Sequence, residues 1–535
     1  MKLLIIIAIV LGLFIIDFIV FSLRYTKKYF LDIVINLGLS VAVNYAVFRI
    51  LEFKNIADQK FFLYMASPVL GLMLLIKVIS GKPKVKEEDN KMYIELEHEG
   101  GNKIRYNNPY NGFLVYGGAE AGKTSSVGKP LLKEYMRNGF GLFIYDAKES
   151  DYAKVAMKIK DDINYSLPIY NIDFFDPRRS YRTNIFHPSA ILDDQLVPEF
   201  AYVFFTSQVK KDYKKDQWFS MALGTFKAVA WVFFKHFPDY CSLPHICNFI
   251  MHNDDEAIED FIKIDNKAIG YGGSFLSAEG KTRTSIKTTV TDIIGDFASN
   301  VNSCYVLSGN DFPYTPLDPE NPKCIAISNH FVARATISPL VVLMFLTMVK
   351  QIRFGNEIPF AFFLDEATTF AIPDLESYPS ELREYLIAFV MLTQSPSKLK
   401  KLYGEEDRAS FESNLANQFY GWTADIGAID IYAKQFSKKD EKTKSVTTGG
   451  GRKSRSTTIS IREKVRFDGE FFGSLKPGEF VGKAKNANVK TFHTRFAPYK
   501  GGSINEMPII RNLTKEDIES EYNRIIDEVK NTVFT

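Results

Sequence analysis

The sequence is poor in cysteine and nearly balanced in charge, and each shortage removes a class of function. Its four cysteines, Cys241, Cys247, Cys304 and Cys324, form no C-x-x-C pair and stand near no histidine pair at ligand spacing. That argues against a zinc site and leaves reduced thiols, which suit a cytoplasmic compartment. His245, between Cys241 and Cys247, reads as a packing residue. A formal net charge of +3 over 535 residues gives no global basic excess, so any nucleic-acid surface must come from local patches. What the chain has in quantity is hydrophobic residues, 46% of the total and densest at the N-terminus. Its length is enough for two or three structural units around a large core.

Residues 1–80 read as a membrane region. The segment 3–22 is almost wholly apolar apart from Asp17 and is long enough to span a bilayer as a helix. A cleaved signal would have a shorter apolar stretch and a small-x-small site before Arg24, Lys27 and Lys28. Segments 33–51 and 61–79 supply second and third spans. Lys77, Lys82, Lys84 and Lys86 follow the third, and by the positive-inside rule this places the N-terminus outside and residues 81–535 in the cytoplasm. The alternative has two spans, with the middle stretch, which carries Asn36, Asn44 and Arg49, folded outside. Residues 81–90 are polar and form a linker.

The main domain begins with a hairpin expected at Met92 to Leu96 and Lys103 to Tyr106. The apolar run Phe113-Leu114-Val115-Tyr116 then leads into Gly117-Gly118-Ala119-Glu120-Ala121-Gly122-Lys123-Thr124 and a helix expected from Ser125 to Met136. This matches G-x-x-x-x-G-K-[ST], the phosphate-binding P-loop, in its confirming context between a strand and a helix. Gly117 and Gly122 permit the tight turn, backbone N–H groups converge on phosphate oxygens, Lys123 adds a point charge, and the Thr124 hydroxyl can ligate Mg²⁺. ATP and Mg²⁺ are the cofactors this implies.

Buried-strand runs follow at Gly141 to Tyr145, ending at Asp146, and at Pro168 to Phe175. Polar groups at such strand ends sit where open α/β sheets bind ligands. Alternating strands and helices predict an α/β fold with a mostly parallel sheet. Residues 188–300 change texture to an all-α insertion, whose aromatic stripe from Trp218 to Phe234 forms its core. This divides the nucleotide-binding domain into residues 91–187 and 301–500. Strand texture resumes at Cys324 to Ser328. The run Phe360 to Leu364 ends in Asp365-Glu366 and resembles a Walker B motif, in which Asp365 holds the Mg²⁺ shell and Glu366 orients and deprotonates the attacking water. A strand from Leu386 to Leu392 ends near Gln394, an amide suited to sensing the γ-phosphate. Phe436 to Phe467, with ten Lys/Arg against three acids, is expected to be a mobile loop. Gly478 to Lys485 is read as the last strand, and residues 501–535 as a tail with an exposed helix.

Together these features resemble the type IV coupling proteins, membrane-anchored hexameric ATPases that connect conjugative relaxosomes or effectors to a type IV secretion channel. The match runs through the P-loop, the Walker B strand, Gln394-Ser395 and the segment Asn184 to Pro188. The resemblance implies a RecA-like P-loop NTPase domain with an inserted all-α domain and N-terminal transmembrane helices. It also implies a homo-hexamer at the bacterial inner membrane, and DNA, single-stranded and carried with a relaxase, as the partner along with channel components. Arg383 matches an arginine that in this family reaches the neighbouring subunit's nucleotide, the role of an arginine finger; the alternative is a surface arginine paired with Glu381 or Glu384. The family's Asp-x-Lys-Gly-Glu is here Asp146-Ala147-Lys148-Glu149-Ser150, without the glycine, and its second Gln after Gln-Ser is Lys398. Competing readings are another membrane-tethered hexameric DNA translocase and an ATP-binding substrate receptor with little turnover. The roughly 35 residues after Tyr499 are too few for the winged-helix reader of DNA pumps.

Overall fold

Runs of consecutive apolar residues mark the central strands, because a parallel sheet is covered on both faces and has no solvent side to alternate with. The computed structural model describes residues 92–210, 213–352, 356–436, 439–448, 455–464 and 467–532, those at 439–448 and 455–464 by backbone alone. The spans and linker expected over residues 1–90 lie outside them. β1 (Ile94–His98) and β2 (Asn102–Tyr106) form the expected antiparallel hairpin. A nine-stranded sheet then carries β3 (Phe113–Tyr116), β4 (Gly141–Asp146), β5 (Ile169–Asp173), β6 (Cys324–Ser328), β7 (Phe360–Leu364), β8 (Ile387–Thr393) and β9 (Asn417–Tyr420).

The spatial order is β9-β3-β8-β7-β4-β6-β5, all parallel. β12 (Glu479–Lys483) and β13 (Thr491–Arg495) extend the β9 edge antiparallel. The expected last strand is therefore followed by another. β8, late in sequence, lies between the P-loop strand β3 and the acidic strand β7, so the ends of all three meet on one edge of the sheet.

The two-residue period of a strand sorts its side chains between two cores. Phe113, Val115, Leu142 and Ile144 pack with helices Lys129–Arg137 and Asp151–Ile163. Leu114, Tyr116, Phe143 and Tyr145 belong to the opposite core, which continues into the helices that follow β5. Among the described residues, the chain between β5 and β6 holds Leu196–Ser207, Gln217–His236, Leu243–His252, Asp255–Lys263, Asn266–Ser277, Lys281–Ala298 and Val301–Ser308, and no strand. The glycine-rich helix Asn266–Ser277 packs closely on its neighbours at two glycines, Gly272 of its own and Gly224 of the helix Gln217–His236. A Cβ on Gly272 would lie 3.0 Å from Ile262, and one on Gly224 only 2.6 Å from the Tyr271 carbonyl. Phe219, Phe226, Trp231 and Phe233 are buried, so most of the aromatic stripe is core, whereas Trp218 at its start is exposed.

Two expectations are corrected. Residues expected to form a mobile loop contain β10 (Lys439–Thr448) and β11 (Arg455–Lys464), paired antiparallel over their full length. The charge count hid a run of β-branched residues, Thr443, Val446, Thr447, Thr457, Thr458, Ile459 and Ile461, that favours extended backbone. The C-terminal helix Lys515–Asp527 is not merely exposed. Ile518, Ile525 and Val529 are buried, Glu521 pairs with Arg182 at 2.6 Å and Glu528 meets His245 Nε2 at 3.0 Å. The four cysteines are free thiols, all buried, and burial raises the pKa of each.

Candidate nucleotide site

The loop after β3 is held from three sides before any ligand enters. Gly117 N–H donates to the Thr393 carbonyl at 3.3 Å and Gly118 N–H to the Trp422 carbonyl at 2.7 Å, while Ala121 O accepts from Gly478 N at 2.9 Å. A Cβ on Gly118 would meet the Trp422 ring at 3.0 Å, and one on Gly122, at φ 83°, would lie 2.5 Å from Gly478 N. Glycine is thus required at Gly122, by backbone approach and by its left-handed conformation, while at Gly118 the place of a side chain is taken by the Trp422 ring. Glu120 is also left-handed, at φ 64°. Ala119 and Ala121 complete the turn, which runs into a wide helical turn over Lys123–Gly128 and then the helix proper. The first N–H groups of a helix have no partner inside it, so Lys123 and Thr124 head a ready anion cradle.

Lys123 is buried, and its Nζ donates to Gly117 O at 2.8 Å and Gly118 O at 3.4 Å. Burial lowers its pKa, while Glu366 and Asp365 act to hold its charge. Asp365 is 1% exposed and its Oδ2 has no hydrogen-bond partner. Burial, with repulsion from Asp146 and Glu366, pushes its carboxyl up to about 7. A buried carboxylate oxygen without a donor is costly unless a cation or water satisfies it, which fits a bound cation such as Mg²⁺. Among the described residues no cluster of three or more His, Cys, Asp or Glu side chains could hold a metal. Such a site needs none, because Mg²⁺ keeps waters and phosphate oxygens in its shell.

Glu366 adopts φ 49°, a left-handed conformation rare outside glycine and often found at functional positions. Its Oε1 accepts from the Thr368 hydroxyl at 3.3 Å, and that hydroxyl also meets Thr393 Oγ1 at 3.1 Å. The carboxylate is thereby tied to the end of β8, where Gln394 follows. Thr368, Trp422 and Gly478 were not singled out from the sequence. Thr368 sits two residues after Glu366 and could have been; the other two are brought in only by the fold.

The structure thus brings Lys123, Thr124, Asp365, Glu366 and Gln394 to one sheet edge. Asp146 ends β4 on that edge. It is fully buried, Oδ1 accepts from Lys148 N at 2.9 Å and Oδ2 from Tyr152 N at 2.6 Å, so it ties down the backbone that opens the helix Asp151–Ile163. Burial lifts its carboxyl to about 6. Arg383 lies at the other end of β8, in the turn Arg383–Tyr385, and is not brought to the site. Its Nη2 donates to the Asn414 carbonyl at 3.1 Å rather than to Glu381 or Glu384.

Known proteins share this fold. Residues 359–466 match the family model described as the TraM recognition site of TraD and TraG, a stretch that begins at β7 and ends with the β10–β11 hairpin. The unbound bacterial conjugative coupling protein TrwB, lacking its first 70 residues, superposes with a TM-score of 0.57 at 13% identity, covering 78% of this chain and 90% of that one. TrwB in complex with ADP and Mg²⁺ gives a TM-score of 0.57 at 13% identity over 75% of this chain and 88% of that one. TrwB with a non-hydrolysable ATP analogue gives 0.56 at 13% identity over the same shares. No curated protein sequence matches. In motif, in the region spanning residues 359–466 and in fold, the chain resembles the type IV coupling proteins.

Proposed function

We propose that the chain is a membrane-anchored ATPase that couples a DNA or nucleoprotein substrate to a type IV secretion or conjugation channel and drives transfer by ATP hydrolysis. The observation that carries this reading is the meeting of Lys123 and the Asp365–Glu366 pair on either side of the β8 end, in a chain with the coupling-protein fold. Lys123 and the N–H groups of the P-loop helix bind the β- and γ-phosphates of ATP. Thr124 and Asp365 would hold Mg²⁺, which would supply neutralisation of the phosphate charge. Glu366, fixed by Thr368, orients the attacking water and takes its proton.

Gln394 senses the γ-phosphate, and Arg383 completes the site of the next subunit in a homo-hexameric ring. The segment 188–300 is a helical domain of that ring, residues 1–80 anchor it in the bacterial inner membrane with the main domain cytoplasmic, and the region over 359–466 docks relaxosome components. The cargo is single-stranded DNA with its relaxase. ATP hydrolysis by the full chain in membranes or detergent, with and without single-stranded DNA, tests this reading. DNA-stimulated turnover is expected, whereas binding without turnover would favour a substrate receptor.

A further inference from the structure

Gln394 is the side chain between the P-loop and the acidic pair, and its orientation is set from outside the pocket. Its neighbour Thr393 accepts from Gly117 N at 3.3 Å through its carbonyl and meets Thr368 Oγ1 at 3.1 Å through its hydroxyl. Thr368 in turn donates to Glu366. The backbone at Gln394 is therefore fixed between the two halves of the site. The backbone of Lys398, in the first turn of the helix Pro396–Tyr403, is fixed as well, and its side chain is exposed. Ser395 caps that helix by accepting from Lys398 N at 3.3 Å, and Pro396 begins it. From there Lys398 Nζ donates to Gln394 Oε1.

An ammonium group has donors and no acceptor, while an amide has one acceptor end and one donor end. Lys398 can therefore bind Gln394 only through its carbonyl, which turns the amide NH₂ the other way. We infer that Lys398 is a positioning residue that sorts the Gln394 amide so that its donor end, not its carbonyl, is presented to the terminal phosphate. This rests on the ATPase reading above. A glutamine at 398, the residue the coupling-protein pattern would supply, is donor and acceptor at once and holds either amide orientation. A carboxylate there would hold the wrong one. A carbonyl facing the γ-phosphate repels it, whereas NH₂ makes a hydrogen bond to a charged group, a difference that amounts to about tenfold or more in affinity. ADP lacks the group being sensed and should not register the change.

The test measures ADP binding, binding of a non-hydrolysable ATP analogue with Mg²⁺, and steady-state ATP hydrolysis in the full chain carrying Lys398→Met, Lys398→Glu or Lys398→Arg. ADP affinity should hold in all three. Analogue affinity and kcat should fall about twofold in Lys398→Met, which leaves both amide orientations open, fall about tenfold or more in Lys398→Glu, which holds the wrong one, and return in Lys398→Arg. In a Gln394→Leu background, Lys398→Met should add nothing, because the two act as one unit. An undiminished effect in that background would show that Lys398 meets the phosphate itself and would overturn the inference, as would equal weakening of ADP and analogue or wild-type behaviour of Lys398→Glu. A wild-type chain that binds neither nucleotide would instead remove the ATPase reading and the inference with it.

Discussion

Arginine 383 offers the sharpest test of assembly. It precedes β8 while Gln394 follows it, and at about 3.3 Å per residue the seven-residue strand puts roughly 20 Å between its turn and the nucleotide edge of its own sheet. No arginine side chain spans that distance, so a catalytic Arg383 must act on another subunit. Removing it costs the folded chain little, since its one bond to the Asn414 carbonyl contributes about 1 kcal/mol. Arg383→Ala should therefore bind nucleotide as the wild type does while hydrolysis falls roughly 10³-fold or more. Lys123→Ala rings should also be inactive. In an equal random mixture of the two variants, roughly a quarter of the head-to-tail interfaces pair an intact Lys123 with an intact Arg383, and about that share of wild-type turnover should return. Colorimetric phosphate release on co-purified mixed rings reads this directly. Silence despite demonstrated co-assembly, or full activity of Arg383→Ala alone, would refute the reasoning.

Three further outcomes follow, two from particular contacts and one from the charge pattern around the N-terminal apolar segments. Gly122→Ala forces a Cβ at φ 83° to within 2.5 Å of Gly478 N; nucleotide binding measured by calorimetry should be lost while far-ultraviolet circular dichroism is retained. Burial would raise the Glu521 carboxyl, but hydrogen bonds from Arg524 and Arg182 outweigh it and bring the group from 4.5 down to about 2. Because the folded-state value is depressed, this stabilisation, on the order of 1–3 kcal/mol after allowing for partial exposure, is fully present above the unfolded value and disappears as pH falls through the folded one. Glu521→Gln should lower Tm at pH 7 and make little difference near pH 2. A cysteine at Asn55 should be labelled from outside the cell and one at Thr26 should not; labelling at Thr26 would favour two spans.

Much of the sheet was legible because burial on both faces leaves a distinctive mark. Phe360 to Leu364 is five apolar residues ending in two acids, and no helix period competes with it. The P-loop was legible because its glycines and lysine are dictated by local backbone and charge. Chemistry that depends on neighbours distant in sequence was not. Trp422 and Gly478 wall the P-loop through the order of strands β9, β3 and β12, which no local pattern encodes. The backbone of Lys148 and Tyr152 turns back onto the two oxygens of Asp146, a contact its place at a strand end does not announce. The β10–β11 hairpin was obscured because charge was weighed above the β-branched content of the same residues. The polar residues of the tail helix mask an apolar face, Ile518, Ile525 and Val529, that recurs at helical spacing and is buried.

The central claim is that the ends of β3 and β7 form one hydrolytic site. The most direct test measures nucleotide binding and ATP turnover side by side in the wild type, Lys123→Ala and Glu366→Gln. The wild type should bind and hydrolyse ATP, and Lys123→Ala should lose turnover because the phosphate charge loses its partner. Glu366→Gln should bind ATP but stall, since an amide can orient water without accepting its proton. Near-normal hydrolysis by Lys123→Ala, or equal loss of binding and turnover in Glu366→Gln, would contradict the account.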